Sequence, residues 1–260
     1  MTRSDVSLPG LRGKAALVTG ASRGIGRATV GLLASCGARV GIAYNSDETA
    51  AASTVDLALA EGAESAWSFA ADLSDPAQVE SLFEEVDRRF DGVLDLFVGN
   101  AGIWNETPRP IVDLPPDEWS EMMAVNLTSV YLTTREAARR LGDGGRIILV
   151  TSTAAQRGEA EHSHYAASKG AIQSFVKSLA VELGPRGMTV NAVAPGWVDT
   201  DMSSNVLRGE FRSAVESEIP VRRIASPADV AGPIVFLASD LGRHVNGEVL
   251  NVNGGSVLCG

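Results

Sequence analysis

Only two of the 260 residues are cysteine, Cys36 and Cys259, three are histidine, and aromatic side chains make up 5% of the chain. Two isolated cysteines build neither a disulfide framework nor a thiolate zinc cluster, so a reducing cytoplasm is the expected setting. Positive charge is also short: 22 Lys and Arg stand against 32 Asp and Glu, a formal net charge of −10. That balance argues against nucleic acid and anionic membrane surfaces as partners. Any anionic ligand must be held by a local arrangement. No run of roughly 18 apolar residues occurs that could span a bilayer, and residues 1–13 carry charges and Pro9 but no apolar signal segment. What the chain has instead is 27 glycines and 45% hydrophobic content, which suits one α/β domain with tight strand-to-helix turns. No repeat, low-complexity tract or linker divides it. A single domain is expected over 1–260, with 1–10 as an N-terminal extension.

Apolar periodicity alternates between strand and helix along the chain. Strands are expected at Ala15–Thr19, Arg39–Tyr44, Ser65–Ala70, 94–98, 146–150, 188–194 and 248–252. Helices are expected between them, including 117–140 and one through Tyr165. Such alternation reads as a doubly wound parallel sheet of the Rossmann type, which keeps its ligands at the C-terminal ends of its strands.

The first strand runs into Gly20-Ala21-Ser22-Arg23-Gly24-Ile25-Gly26 and then a helix. A helix start offers unpaired N–H groups and a positive dipole end, so a pyrophosphate can sit there without a lysine. Gly20 suits the tight turn, Gly24 the approach of backbone to phosphate, and Gly26 the packing of helix on strand. After the second strand come Tyr44, Asn45 and Ser46. With Arg23 they supply donors and a cation where a ribose 2′-phosphate would lie, which favours NADP over NAD. Asp47 and Glu48 read as the cap and first turn of the next helix. Asp75, followed by Pro76 and Gln78, reads as a helix cap with a capping-box partner. Asp72, beside Leu73, is then left as either a turn carboxylate or a contact to the adenine end of a cofactor. Asn100-Ala101-Gly102 forms another small-residue turn at a strand end.

Tyr165 and Lys169 are four residues apart on a helix, so their side chains leave one face. A free tyrosine has a pKa of about 10, and a cation within roughly 6 Å lowers it, which makes the phenol a usable proton carrier. Thr151 and Ser152 stand at the end of a strand on the ligand edge. Asn126, an amide among apolar helical residues, is either a structural clamp or a water-holding group. The proline-rich loop with Trp104 is expected to wall a substrate pocket, and 197–224, rich in polar residues, to form a mobile lid. His162 and His164 lack further ligands at metal spacing, so no metal is expected. No Gly-x-Ser-x-Gly elbow surrounds Ser152, which disfavours a hydrolase triad.

In this order Thr19 to Gly26, Asp72, Asn100 to Gly102, Asn126, Ser152, Tyr165-x3-Lys169 and Pro195-Gly196 resemble the short-chain dehydrogenase/reductase family. The tail 191–202 (NAVAPGWVDTDM), Phe236 to Asp240 and Asn251 to Gly255 are similar to 3-oxoacyl-acyl-carrier-protein reductases of that family. The resemblance implies seven strands in the order 3-2-1-4-5-6-7, Tyr165 as proton donor to a carbonyl, and Lys169 as the group that tunes the tyrosine and binds the nicotinamide ribose. It further implies Ser152 as the residue steadying the carbonyl oxygen, Asn126 as holder of a relay water, and Pro195, Gly196, Val198 and Thr200 as neighbours of the nicotinamide. The implied reaction is NADPH-dependent reduction of a ketone, a 3-oxoacyl thioester or a related carbonyl, by a homotetramer. An NAD-linked sugar or polyol dehydrogenase and a non-catalytic redox sensor are the alternatives. One departure is Gly99, where the family usually has asparagine, which is expected to loosen the turn. For an acidic carrier protein, Arg139, Arg140 and Arg186 are the candidate cationic patch.

Overall fold

Short, largely apolar runs rich in small and β-branched residues form the centre of the molecule. The computed structural model describes residues 8–258; residues 1–7, most of the expected extension, and Cys259 lie outside the described residues. The strands are β1 (Ala15–Thr19), β2 (Arg39–Tyr44), β3 (Ser65–Ala70), β4 (Leu94–Gly99), β5 (Leu141–Val150), β6 (Thr189–Pro195) and β7 (Val249–Val252). They make one parallel sheet in the order β3-β2-β1-β4-β5-β6-β7, as the resemblance implied. Burial of every residue of β1 and β6 explains the absence of polar alternation: helices cover both faces.

The helices are α1 (Gly24–Ser35), α2 (Glu48–Glu61), α3 (Pro76–Arg89), α4 (Pro116–Met123), α5 (Ser129–Arg140), α6 (Ala154–Arg157), α7 (Ser163–Leu183), α8 (Gly209–Glu218) and α9 (Pro227–Ala238). Alternate residues of β1 point to opposite faces. Ala15 and Leu17 join a core with Phe83, Phe97, Ile172 and Val176 from the side of α3 and α7. Ala16 and Val18 join a second core with Val30, Leu33, Ile234 and Val235 from the side of α1 and α9. Asp47 caps α2 by accepting from the Ala50 N–H at 2.9 Å, and Asp75 caps α3 by accepting from Ala77 at 2.9 Å. Gln78 departs from the expected box. Its amide donates to Asp75 Oδ2, while its oxygen accepts from the Asp72 N–H.

Three elements differ from the expected ones. β5 starts at Leu141, five residues early, because α5 hands over to an extended glycine-rich entry that includes exposed Gly142 and Gly144. The helix expected over 117–140 is continuous but is widened by one π turn at Ala124–Thr128, the turn that carries Asn126. The segment 197–224 is not polar coil. It contains α8, and Leu207, Val215, Ile219 and Ile224 pack with Trp197 into a small core of their own. Its base is pinned by backbone bonds, Asp199 N–H to Ala225 O at 2.8 Å and Ala225 N–H to Trp197 O at 3.1 Å.

Candidate active site

The C-terminal ends of β1, β2, β4, β5 and β6 open into one cavity of about 950 Å³, at the large end of the range of roughly 300–1,000 Å³ usual for ligand pockets. Among the site residues expected from the sequence, all but Gly26 and Asn126 line it.

The glycine turn is built by close approach. Gly20 has φ +61, and a Cβ there would stand 2.8 Å from Ala101 Cα; a Cβ on Gly26 would stand 2.5 Å from Gly20 O. Gly26 therefore serves by packing, behind the cavity wall. Asn100 stitches β4 to this turn. Its Nδ2 donates to Thr19 O and Gly20 O at 3.0 Å each, and its N–H donates to Thr19 Oγ1 at 3.0 Å. Gly99 leaves the turn intact: a Cβ there would lie 2.6 Å from Leu149 Cδ2, so the missing asparagine is the space that leucine occupies. Arg23 caps α1 with no side-chain bond to the first turn, and no acid lies in that turn. The helix start thus offers its N–H groups and positive dipole end to an anion. Such a cradle fits a pyrophosphate.

At the end of β2, Tyr44, Asn45 and Ser46 line the cavity together with Arg23. Asp47 also lines it, but its Oδ1 is engaged in capping α2. Asp72 combines both of its expected roles in part. It faces the cavity, and its Oδ1 accepts from the Ser74 N–H at 2.9 Å and hydroxyl at 2.7 Å, so it is a turn carboxylate and not a free one.

Across the sheet centre, the reactive groups converge. Thr151 Oγ1 donates to Lys169 O at 2.8 Å and so ties β5 to α7. Lys169 Nζ donates to Val150 O at 3.0 Å and lies 6.0 Å from the centroid of the Tyr165 ring. Burial pulls the ammonium down to about 8, because a charged amine loses hydration that one carbonyl replaces only partly. Burial likewise pushes the Tyr165 phenol above its ordinary value; the hydrogen bond with Ser152 opposes the rise and Glu159 adds to it. The sequence-based expectation of a phenol lowered by the lysine is thus reversed. At neutral pH Tyr165 holds its proton. Ser152 Oγ is itself fixed by accepting from the Ala154 N–H at 3.1 Å.

Asn126 is fully buried. Its Oδ1 accepts from the Ile103 N–H at 2.7 Å, and its Nδ2 donates to Ile103 O at 2.9 Å and to Ser168 Oγ at 3.3 Å. One amide therefore pairs both backbone groups of a loop residue and links that loop to α7. The side chain is a clamp.

The model for the family described as Enoyl-(Acyl carrier protein) reductase matches residues 20–256. The chain belongs to the short-chain dehydrogenase/reductase family. It is 41% identical to a versicolorin reductase of Emericella nidulans over 258 residues, 95% of this chain and 96% of that one. It is 38% identical to a 3-oxoacyl-acyl-carrier-protein reductase of Vibrio cholerae, covering 95% and 99% of the two chains. Among solved structures, a short-chain dehydrogenase of Burkholderia cenocepacia in complex with NADP superposes with a TM-score of 0.88 at 40% identity, over 95% of this chain and 98% of that one. The fold, the family and the oxidoreductase class agree.

Several features of this short-chain dehydrogenase/reductase were not anticipated. Phe211 on α8 reaches the cavity, and Asp201 stands 3.9 Å from Arg23 as an ion pair between lid and glycine turn. Phe211, Val215 and Ile219 recur every fourth residue, a helical stripe hidden among charges. His162 stacks on Trp104 with centroids 5.1 Å apart, and no metal-binding cluster occurs among the described residues. The arginines considered for a carrier protein sit elsewhere. Arg140 pairs with Asp87 and Glu136, Arg139 with Glu136, and Arg186 with Asp143 while donating to Ala138 O and Leu141 O. Arg186 thus holds the junction of α5 with β5, Arg140 ties α5 to α3, and Arg139 pairs within α5, all near the N-terminal end of β5 and away from the cavity. No helix among the described residues is long and apolar enough to cross a membrane.

Proposed function

We propose that the protein is an NADPH-dependent reductase that converts a ketone to a secondary alcohol. The observation that carries this reading is that Ser152, Tyr165 and Lys169 line the same cavity as an open glycine-turn helix start. When bound, NADPH supplies the hydride. Ser152 and Tyr165 donate to the carbonyl oxygen as negative charge builds on it, so they stabilise the transition state more than the ground state. Tyr165 then gives up its proton. Lys169, near neutrality, is suited to return one and to hold the nicotinamide ribose, while Asn126 fixes the loop beside it. Pro195, Gly196, Val198 and Thr200 lie on the cavity wall where the nicotinamide amide would dock.

The 2′-phosphorylated cofactor is favoured because Arg23, Asn45 and Ser46 supply a cation and donors, and the nearest acid, Asp47, is occupied as a cap. The Burkholderia relative in complex with NADP is in line with this. The relatives are named for different substrates, a 3-oxoacyl-acyl-carrier protein, versicolorin and an aldehyde. Exposed Trp119, Tyr131 and Val181 on α4, α5 and α7 favour self-association, in keeping with the expected homotetramer. Loss of NADPH absorbance with a panel of ketones tests the reading, with NADH as the paired control. Reduction with NADPH preferred is the expected result; no reduction of any ketone would rule the reading out, and a preference for NADH would overturn the roles of Arg23, Asn45 and Ser46.

A further inference from the structure

The cavity has a cofactor end, below β1 and β2, and a substrate end, bounded by the segments that follow β4, β5 and β6. At the substrate end stand three aromatic rings drawn from three separate parts of the chain. Trp104 follows β4, Trp197 follows β6 and Phe211 lies on α8; all line the cavity that holds Ser152 and Tyr165. Trp104 meets Trp197 edge to face at 5.8 Å, and Trp197 meets Phe211 edge to face at 6.0 Å. His162 backs Trp104 as a stacked plate. Phe211 is 47% exposed in a chain with few aromatics. An exposed phenylalanine at a cavity mouth, held in a row with two tryptophans, is an apolar contact surface awaiting a partner ring.

Charge at this end points the same way. Glu121 and Glu218 line the cavity with no ion pair among the described residues, and Arg157, which also lines it, is bound to Glu159 at 2.9 Å, while Lys169 is buried against Val150 O. The cationic side chains that could have received an acidic carrier are engaged near the N-terminal end of β5, away from the cavity. A phosphopantetheine thioester, with its phosphates and in one form an acidic protein, meets like charge at this mouth.

Resting on the reductase reading above, we infer that the substrate is a free, uncharged ketone carrying a planar aromatic ring system, and not a carrier- or coenzyme A-linked 3-oxoacyl chain. Hydride goes to the carbonyl carbon and the Tyr165 proton to its oxygen, so one ketone, one NADPH and one proton give one alcohol and one NADP.

The test compares 2-tetralone, ethyl acetoacetate and acetoacetyl-coenzyme A as ketones in NADPH oxidation. With each ring contact contributing a few-fold, kcat/KM for 2-tetralone is expected to exceed that for acetoacetyl-coenzyme A by about tenfold or more. Raising the salt concentration should narrow that gap by helping only the anionic substrate. Phe211→Leu, which keeps apolar volume but removes the ring, should raise KM for 2-tetralone by about fivefold, with Phe211→Tyr restoring it. Preference for acetoacetyl-coenzyme A, or a Phe211→Leu enzyme that retains wild-type KM for 2-tetralone, would overturn the inference while leaving the reductase reading standing. Failure to reduce all three would sink both.

Discussion

Lys169 is costly to bury: its ammonium is 4% exposed, with one backbone carbonyl as its hydrogen-bond acceptor. Its folded pKa of about 8 lies below the ordinary 10.5. The unfolded chain therefore binds more protons between those values, and this group makes the protein more stable as pH rises through that window. Below about 8 the lysine is charged in both states and the full cost of burial is present. The shift corresponds to about 3 kcal/mol. We predict that the stability of the wild type gains on that of Lys169→Met by an amount of this order between pH 7 and pH 10.5, read by denaturant unfolding. Parallel stability curves for the two proteins would contradict it. The same residue was legible in the sequence as a neighbour of Tyr165, but the direction in which the phenol shifts was not. Spacing on a helix shows which groups meet; it carries no information on how much water each one loses, and desolvation sets both shifts here.

Among the elements, those bounded by clear turn and cap residues were readable to the residue, as β1, β2 and β3 demonstrate. Where pattern failed, packing decided. The π turn around Asn126 has the apolar spacing of an ordinary helix and arises because the amide must reach both backbone groups of Ile103. α8 was hidden because its stripe packs on Trp197 and on the lid itself and not on the main core. The packing roles of Gly20 and Gly26 in the glycine turn were legible, since both are required by atoms that leave no room. At Gly26 the obstructing atoms, Gly20 O at 2.5 Å and Ala21 Cα at 2.8 Å, are backbone and cannot swing aside. Gly26→Ala is accordingly expected to cost about 1–3 kcal/mol of stability and to weaken NADPH binding at least about tenfold. Thermal melts and fluorescence titration with NADPH check this. A variant with native melting and native affinity would show that the turn has slack.

For the whole molecule, a net charge of −10 coexists with a site for an anionic cofactor because the attraction is local: a helix start, backbone N–H groups and Arg23. Overall composition thus argued against polyanionic partners and stayed silent on the cofactor. It also could not reveal that Arg139, Arg140 and Arg186 are paired within the chain, since a helix-end cation and a docking cation look alike until their partners are placed. What joins the two ends of the cavity is the placement of Tyr165, on α7, beside Ser152 from β5 and above a turn built from β1 and β4. The central claim is that this phenol delivers the proton and does not hold the cofactor. The most direct measurement is turnover and NADPH affinity of Tyr165→Phe, measured side by side on one preparation. Loss of a general acid should lower the rate of ketone reduction by at least about a hundredfold with little change in the NADPH dissociation constant. Turnover near that of the wild type, or a fall in cofactor affinity as large as the fall in rate, would contradict the account.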